Sequence, residues 1–117
     1  MVTGGSGQLG FRVINSLLRR NFSVVAPPHS ELNLADVNFG REFFSRSESS
    51  FSAVINCGAY IAVDAAEDNF HRALTANASS AGQLVKLCSQ MNIPFVHVST
   101  DYVFDGENRE GYLECDE

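Results

Sequence analysis

Three glycines at three-residue spacing stand at the start of the chain, in Thr3-Gly4-Gly5-Ser6-Gly7-Gln8-Leu9-Gly10. A glycine-rich turn that runs straight into a helix is suited to holding a dinucleotide phosphate. The first glycine permits a tight turn, the second lets a pyrophosphate approach the backbone, and the third lets the helix pack closely on a sheet. The helix N-terminus adds unpaired N–H groups and a partial positive charge for the anion. Spacing alone is a weak signal, and its weight comes from the elements around it. Thr100, which follows an apolar run, reads on its own as the end of a strand.

The elements that must position these groups alternate. Helical spacing of Leu9, Val13, Ile14, Leu17 and Leu18 predicts a helix from about Gln8 to Arg20, with Arg19 and Arg20 suiting its C-terminal dipole and Asn21 stopping it. Phe22 to Ala26 reads as a buried strand ended by Pro27-Pro28. Asp36 is placed to cap a short helix carrying Phe39, Phe43 and Phe44, and the polar Ser45 to Ser52 reads as a loop. Ala53 to Cys57 is a second apolar strand. Asp64 and Glu67 have capping-box spacing ahead of a further helix. From Ala76 to Met91 the set Leu84, Leu87, Cys88, Met91 marks one helix face, and Pro94 to Ser99 is the last clear strand. Strands alternating with helices imply an α/β fold, a Rossmann-like, doubly wound parallel sheet. Only Met1-Val2-Thr3 precede the glycine loop and no further strand follows Pro94 to Ser99, so the expected sheet is incomplete at both ends, a fragment of a larger protein.

The 117 residues allow one domain, and 44% apolar residues with nine Phe suffice for a core. No apolar run is long enough to span a bilayer, and no basic-then-apolar leader is present. Cys57, Cys88 and Cys115 are odd in number, far apart and without metal-ligand spacing, which suits a reducing cytoplasm. Cys57 and Cys88 sit in apolar stretches and read as core residues. The net charge is −6, and residues 101–117 hold seven acids against Arg109 alone. That excludes a basic nucleic-acid footprint and suggests a solvated acidic segment.

Taken together, Thr3 to Gly10, Val54-Ile-Asn-Cys-Gly-Ala-Tyr60, Ala62-Val-Asp64, Glu67, Asn77-Ala78 and Ser99-Thr-Asp-Tyr-Val-Phe-Asp-Gly106 resemble the extended short-chain dehydrogenase/reductases. Within them the chain looks most like the dTDP-4-dehydrorhamnose reductases. The regulatory beta subunit of methionine adenosyltransferase is similar in its Asp-Tyr-Val-Phe-Asp-Gly block. The resemblance covers nearly the whole chain, and the block from His97 to Gly106 is its most specific part.

The resemblance implies roles residue by residue. Gly4, Gly7, Gln8, Leu9 and Gly10 would hold the pyrophosphate. Asn33 and Leu34 would lie against the adenine, where the family usually has Asp-Leu or Asp-Ile. Cys57, Gly58, Ala59 and Tyr60 would line the cofactor, with Asn77 nearby, either pinning the helix to the sheet or touching the site. His29 would stand near the adenine ribose. With Pro28 and no acid at the end of the second strand, a 2′-phosphate is tolerated, which favours NADP(H) over NAD(H). Thr100 matches the family's catalytic hydroxyl, and no metal is expected. His97 reads as a satisfied core histidine, and Asp101 and Asp105 read as ordering their loop. The family's Tyr-x-x-x-Lys pair is missing, since Tyr60, Tyr102 and Tyr112 are followed four residues later by Asp64, Gly106 and Asp116.

The function so implied is reduction of the 4-keto group of a dTDP-6-deoxy sugar with NAD(P)H, in dTDP-rhamnose biosynthesis. This chain would supply a partial NAD(P)-binding domain over residues 1–117, with the substrate domain outside it. The alternative is a dinucleotide-binding regulatory subunit. Expected partners are the dinucleotide, a sugar nucleotide, and a second copy or a regulated protein, with neither nucleic acid nor membrane among them.

Overall fold

The computed structural model describes residues 1–34, 36, 43–44 and 51–116. Its sheet is wholly parallel: β1 (Val2–Thr3), β2 (Val54–Asn56) and β3 (Phe95–His97) lie side by side in that order. Val2 pairs with Ile55, and Thr3 pairs with Asn56, which pairs in turn with His97. Helix α1 (Gln8–Arg19) follows β1. Helices α2 (Val63–Asp68) and α3 (Phe70–Leu74) follow β2, then a π-helical turn (Thr75–Ser79) and α4 (Ser80–Gln90). A 3₁₀ turn (Asp101–Val103) follows β3.

The core gathers Met1, Leu32, Phe44, Phe51 and Val54 with Leu84 and Cys88 of α4, and Leu34, Phe43, Leu87, Ile93 and Phe95 pack against it. Phe43, Phe44 and Phe51 form mutual ring contacts at centroid separations of 5.8–6.5 Å. Burial of these side chains supplies the main driving force for the fold. Both longer helices end on an asparagine in the left-handed region, Asn21 at φ 62° and Asn92 at φ 54°. In each, the next two N–H groups turn back on the last carbonyls: Asn21 to Leu18 and Phe22 to Leu17, Asn92 to Ser89 and Ile93 to Cys88. That double bond pattern satisfies carbonyls the helix itself cannot.

Several expectations need correction. Phe22 to Ala26 is neither a strand nor buried: Phe22 is 59% and Val25 43% exposed. It meets the sheet through the Val2 N–H to Val25 carbonyl bond at 2.8 Å. A two-residue β1 offers little ladder, and Pro27 has no N–H to extend it. On α1, Leu9 and Leu18 are exposed, and the half-buried apolar residues are Val13, Ile14 and Leu17. Asp64 does not cap α2: the N-cap is Ala62, whose carbonyl takes the Ala66 N–H, and no side-chain cap bond forms. Asp64 thus lies within the first turn, where its charge suits the dipole instead. The helix expected from Ala76 starts as the π-helical turn, and Met91 is exposed. Cys88 is buried, but Cys57 is only half-buried. His97 is exposed, because it stands on β3, the last strand of the described sheet. Phe43 and Phe44 are helical, while the rest of the helix expected after Asp36 and most of the loop Ser45 to Ser52 lie outside the described residues.

Large apolar side chains lie exposed along α1, the segment after it, and β3, among them Phe11, Phe22, Val96 and Val98. Faces of this kind promote association. The 117-residue chain expressed alone is expected to self-associate, as read by light scattering across a concentration series. A monomer at all concentrations with a cooperative melt above about 60 °C would contradict this.

Candidate functional site

The glycine loop sits where the sheet changes direction. From β1 the chain passes to one side, where Val25 bonds Val2, and returns on the other side as β2. The C-terminal end of β1 is therefore a switch point, where open α/β sheets leave a crevice for ligands.

Each glycine of the spaced triplet has a separate physical reason. Gly4 takes φ +66°, and a Cβ there would lie 2.6 Å from the Gly58 nitrogen and 2.7 Å from the Cys57 carbonyl. Only glycine permits both the left-handed turn and that backbone contact. Gly10 is buried, and its Cβ would stand 2.2 Å from the Gly4 carbonyl oxygen. The first turn of α1 is thereby packed directly on the loop. Gly7 differs: it is the exposed N-cap of α1, extended at φ −77° and ψ 166°, and a Cβ there would meet only the Gly4 oxygen, at 3.3 Å. Its lack of a side chain leaves the helix N-terminus open to an incoming anion. Gln8 and Leu9, both exposed, border a shallow groove on α1 shared with Phe11 and Arg12.

The loop after β2 forms the facing wall. The Cys57 N–H donates to the Thr3 carbonyl at 3.3 Å. Gly58 packs so closely on Leu34 that a Cβ would fall 2.3 Å from its Cδ1. Leu34 is tied in turn to α4, since the Ser80 hydroxyl donates to its carbonyl. Ala59 is exposed between Gly58 and Tyr60. Asn77 clamps the backbone of Tyr60 at both ends: its Oδ1 accepts the Tyr60 N–H at 2.7 Å and its Nδ2 donates to the Tyr60 carbonyl at 3.0 Å. Asn77, delivered from the π-helical turn, thus ties that turn to the loop after β2 and not to the sheet itself. Burial pushes the Cys57 thiol up from its ordinary pKa. It therefore stays a thiol at neutral pH and is a poor nucleophile.

The structure thus packs Gly4 against Gly10, Cys57 and Gly58, and Gly58 against Leu34, with Tyr60 held to Asn77 further along the same loop. His29 lies exposed on a turn closed by Glu31 and Leu32 N–H bonds to the Pro28 carbonyl. Asn33 is half-buried beside Leu34, and its carbonyl accepts the Asp36 N–H at 3.0 Å. Thr100 follows β3 and is exposed. Its Oγ1 accepts the Tyr102 N–H at 3.3 Å and donates to Asp101 at 3.2 Å, capping the 3₁₀ turn. Beyond it, Asp105 orders the loop as expected, accepting the Tyr112 hydroxyl and the Glu107 N–H. Those two bonds, Tyr112 first, hold the Asp105 carboxyl below its ordinary pKa. The Tyr112 ring also stacks on Phe104 at 4.3 Å. No helix among the described residues is long and apolar enough to cross a membrane.

Comparison with known proteins gives this geometry its context. A family model described as the RmlD substrate binding domain matches residues 1–117, the span that holds the glycine loop and the parallel sheet. The chain is 40% identical over 124 residues to a Haloferax volcanii protein named probable low-salt glycan biosynthesis reductase Agl14, covering 99% of this chain and 41% of that protein. Among solved structures, a dTDP-4-dehydrorhamnose reductase from Clostridium acetobutylicum superposes with a TM-score of 0.88 at 34% identity, over 99% of this chain and 41% of that one. A dTDP-4-dehydrorhamnose reductase from Bacillus anthracis, solved in complex with NADP, gives 0.82 at 28% identity, over 95% and 39%. The chain thus spans about two fifths of the length of these relatives.

Proposed function

Since the chain belongs to the RmlD substrate binding domain family, we propose that it is the dinucleotide-binding part of a reductase acting on the 4-keto group of a dTDP-6-deoxy sugar. The carrying observation is the glycine loop at the sheet's switch point, walled by Gly58 and left open at Gly7. The reductase names of the relatives support this reading over that of a regulatory subunit, and the NADP complex of one of them supports the choice of ligand.

The residues present fit such a group. The α1 N-terminus with Gly4, Gly7, Gln8, Leu9 and Gly10 would take the pyrophosphate, Asn33, Leu34 and His29 the adenosine end, and Cys57, Gly58, Ala59 and Tyr60 the far wall. When bound, NADPH supplies the hydride. Thr100 would donate a hydrogen bond to the keto oxygen, stabilising negative charge as it develops there. Asn77 would hold the Tyr60 backbone in place through its two amide bonds. In these 117 residues no tyrosine is followed four residues on by a lysine, so this segment does not supply the proton-transferring pair that the resemblance implies.

Cofactor choice tests this reading. With Pro27-Pro28-His29 directly after the Phe22 to Ala26 segment, no acid stands at the position that selects NAD(H), so a 2′-phosphate is tolerated. Competition titrations on the full-length protein are expected to show NADP(H) binding at least as tightly as NAD(H). A preference for NAD(H) of about tenfold or more, about 1.4 kcal/mol, would contradict the assignment of this end of the site.

A further inference from the structure

The C-terminal ends of the three strands carry a polar relay across the sheet. Thr3, Asn56 and His97 are register partners on neighbouring strands. Laterally paired residues of a parallel sheet project to the same face, about 4.8 Å apart. Thr3 and Asn56 are each 1% exposed, deep enough that an unmade hydrogen bond is costly. Both ends of the Asn56 amide are engaged. Its Oδ1 accepts the Gly58 N–H at 3.2 Å and the Thr3 hydroxyl, and its Nδ2 lies 3.0 Å from His97 Nδ1.

The directions of these bonds follow from one fixed donor. A backbone N–H can only donate, so the Asn56 atom facing Gly58 is the oxygen. The NH₂ group therefore faces His97, and His97 Nδ1 must accept. That requires a neutral imidazole with its proton on Nε2. Thr3 leads directly into Gly4, and Asn56 leads into the wall formed by Cys57 and Gly58. The relay thus joins the two backbones that meet at Gly4 and Gly58, where a Cβ on Gly4 would lie 2.6 Å from the Gly58 nitrogen.

We infer that His97 is a positioning residue for the dinucleotide site: its Nδ1 orients the Asn56 amide, whose oxygen holds the Gly58 N–H and with it the wall facing the glycine loop. This rests on the proposed function for its ligand, but the relay is a property of the unliganded protein. The ring of His97 meets Asn56 and stacks with Phe95. Its exposed position at the end of the relay lets the ring be changed without opening the core.

The test uses the full-length protein and three readouts: the ¹⁵N shifts of the His97 ring, amide exchange at Gly58, and NADP(H) titration. In the wild type the neutral ring should carry its proton on Nε2. His97→Leu removes the acceptor and leaves Asn56 Nδ2 without a partner. Gly58 exchange should then rise, and NADP(H) affinity should fall by about fivefold, the scale of one lost neutral hydrogen bond. His97→Asn places an amide oxygen near the Nδ1 position and should restore both, which a merely space-filling role would not achieve. A wild-type ring protonated on Nδ1 would overturn the relay. So would His97→Leu with unchanged Gly58 exchange. If the wild type binds no NADP(H), the proposed function fails, and the tautomer and exchange measurements still decide the relay.

Discussion

Gly10→Ala is expected to unfold the chain or lower its melting temperature severely, although alanine is the best helix former and Gly10 lies within α1. The added Cβ would stand 2.2 Å from the Gly4 oxygen, 2.7 Å from the Gly4 carbonyl carbon and 3.0 Å from Gly5 Cα. All three are backbone atoms of a loop already fixed by its contact with Gly58, so no flexible side chain can yield. Overpacking of this kind costs about 1–3 kcal/mol or more, against a total stability of about 5–15 kcal/mol for a domain. Gly82 in α4 supplies the internal contrast. It is exposed, and a Cβ there meets nothing within 4 Å. Gly82→Ala should therefore stabilise, by about 0.5–1 kcal/mol, through helix propensity. Thermal melts of the two variants should move in opposite directions. A neutral Gly10→Ala would show that α1 does not rest on the glycine loop as described.

Gly7→Val is expected to separate binding from folding. Its backbone is extended, which a β-branched residue adopts readily. Its Cβ meets only the Gly4 oxygen at 3.3 Å, which a shift of a few tenths of an ångström relieves. The fold should survive. The isopropyl group, however, would occupy the opening at the α1 N-terminus that a pyrophosphate must enter. NADP(H) affinity in the full-length protein should fall by about tenfold or more, or about 1.4 kcal/mol. Calorimetric titration beside a thermal melt reads both effects. Unchanged affinity in a folded variant would remove the glycine loop from the site.

Local signals made part of this architecture legible in the sequence. The glycine triplet, the apolar cores of β2 and β3, and the asparagine that ends α1 each depend on a few neighbouring residues. The failures came where distant parts of the chain decide the outcome. Phe22 to Ala26 has the composition of a strand, yet strand formation depends on a partner, and β1 offers only two residues. Asp64 and Glu67 have the spacing of a capping box, but the helix starts one residue before Asp64. The stripe on α1 identified the helix while leaving open which of its residues meet the sheet.

Within the candidate site, Gly4 and Gly10 have steric reasons of their own where Gly7 does not, and Asn77 clamps the Tyr60 backbone. The Asn56 amide escaped notice because its partners, Thr3 and His97, lie 53 and 41 residues away. A lone polar residue in an apolar strand is the one sequence signal that could have marked it, because a buried amide demands partners.

Hydride transfer tests the central claim most directly. The full-length protein, given NADPH and a dTDP-4-keto-6-deoxy sugar, should oxidise NADPH in step with formation of the 4-hydroxy sugar nucleotide. Removal of the Thr100 hydroxyl as Thr100→Val should slow that turnover while leaving NADPH affinity unchanged. A full-length protein that binds NADPH but gives no sugar-dependent oxidation, with the product absent by mass spectrometry, would contradict the account.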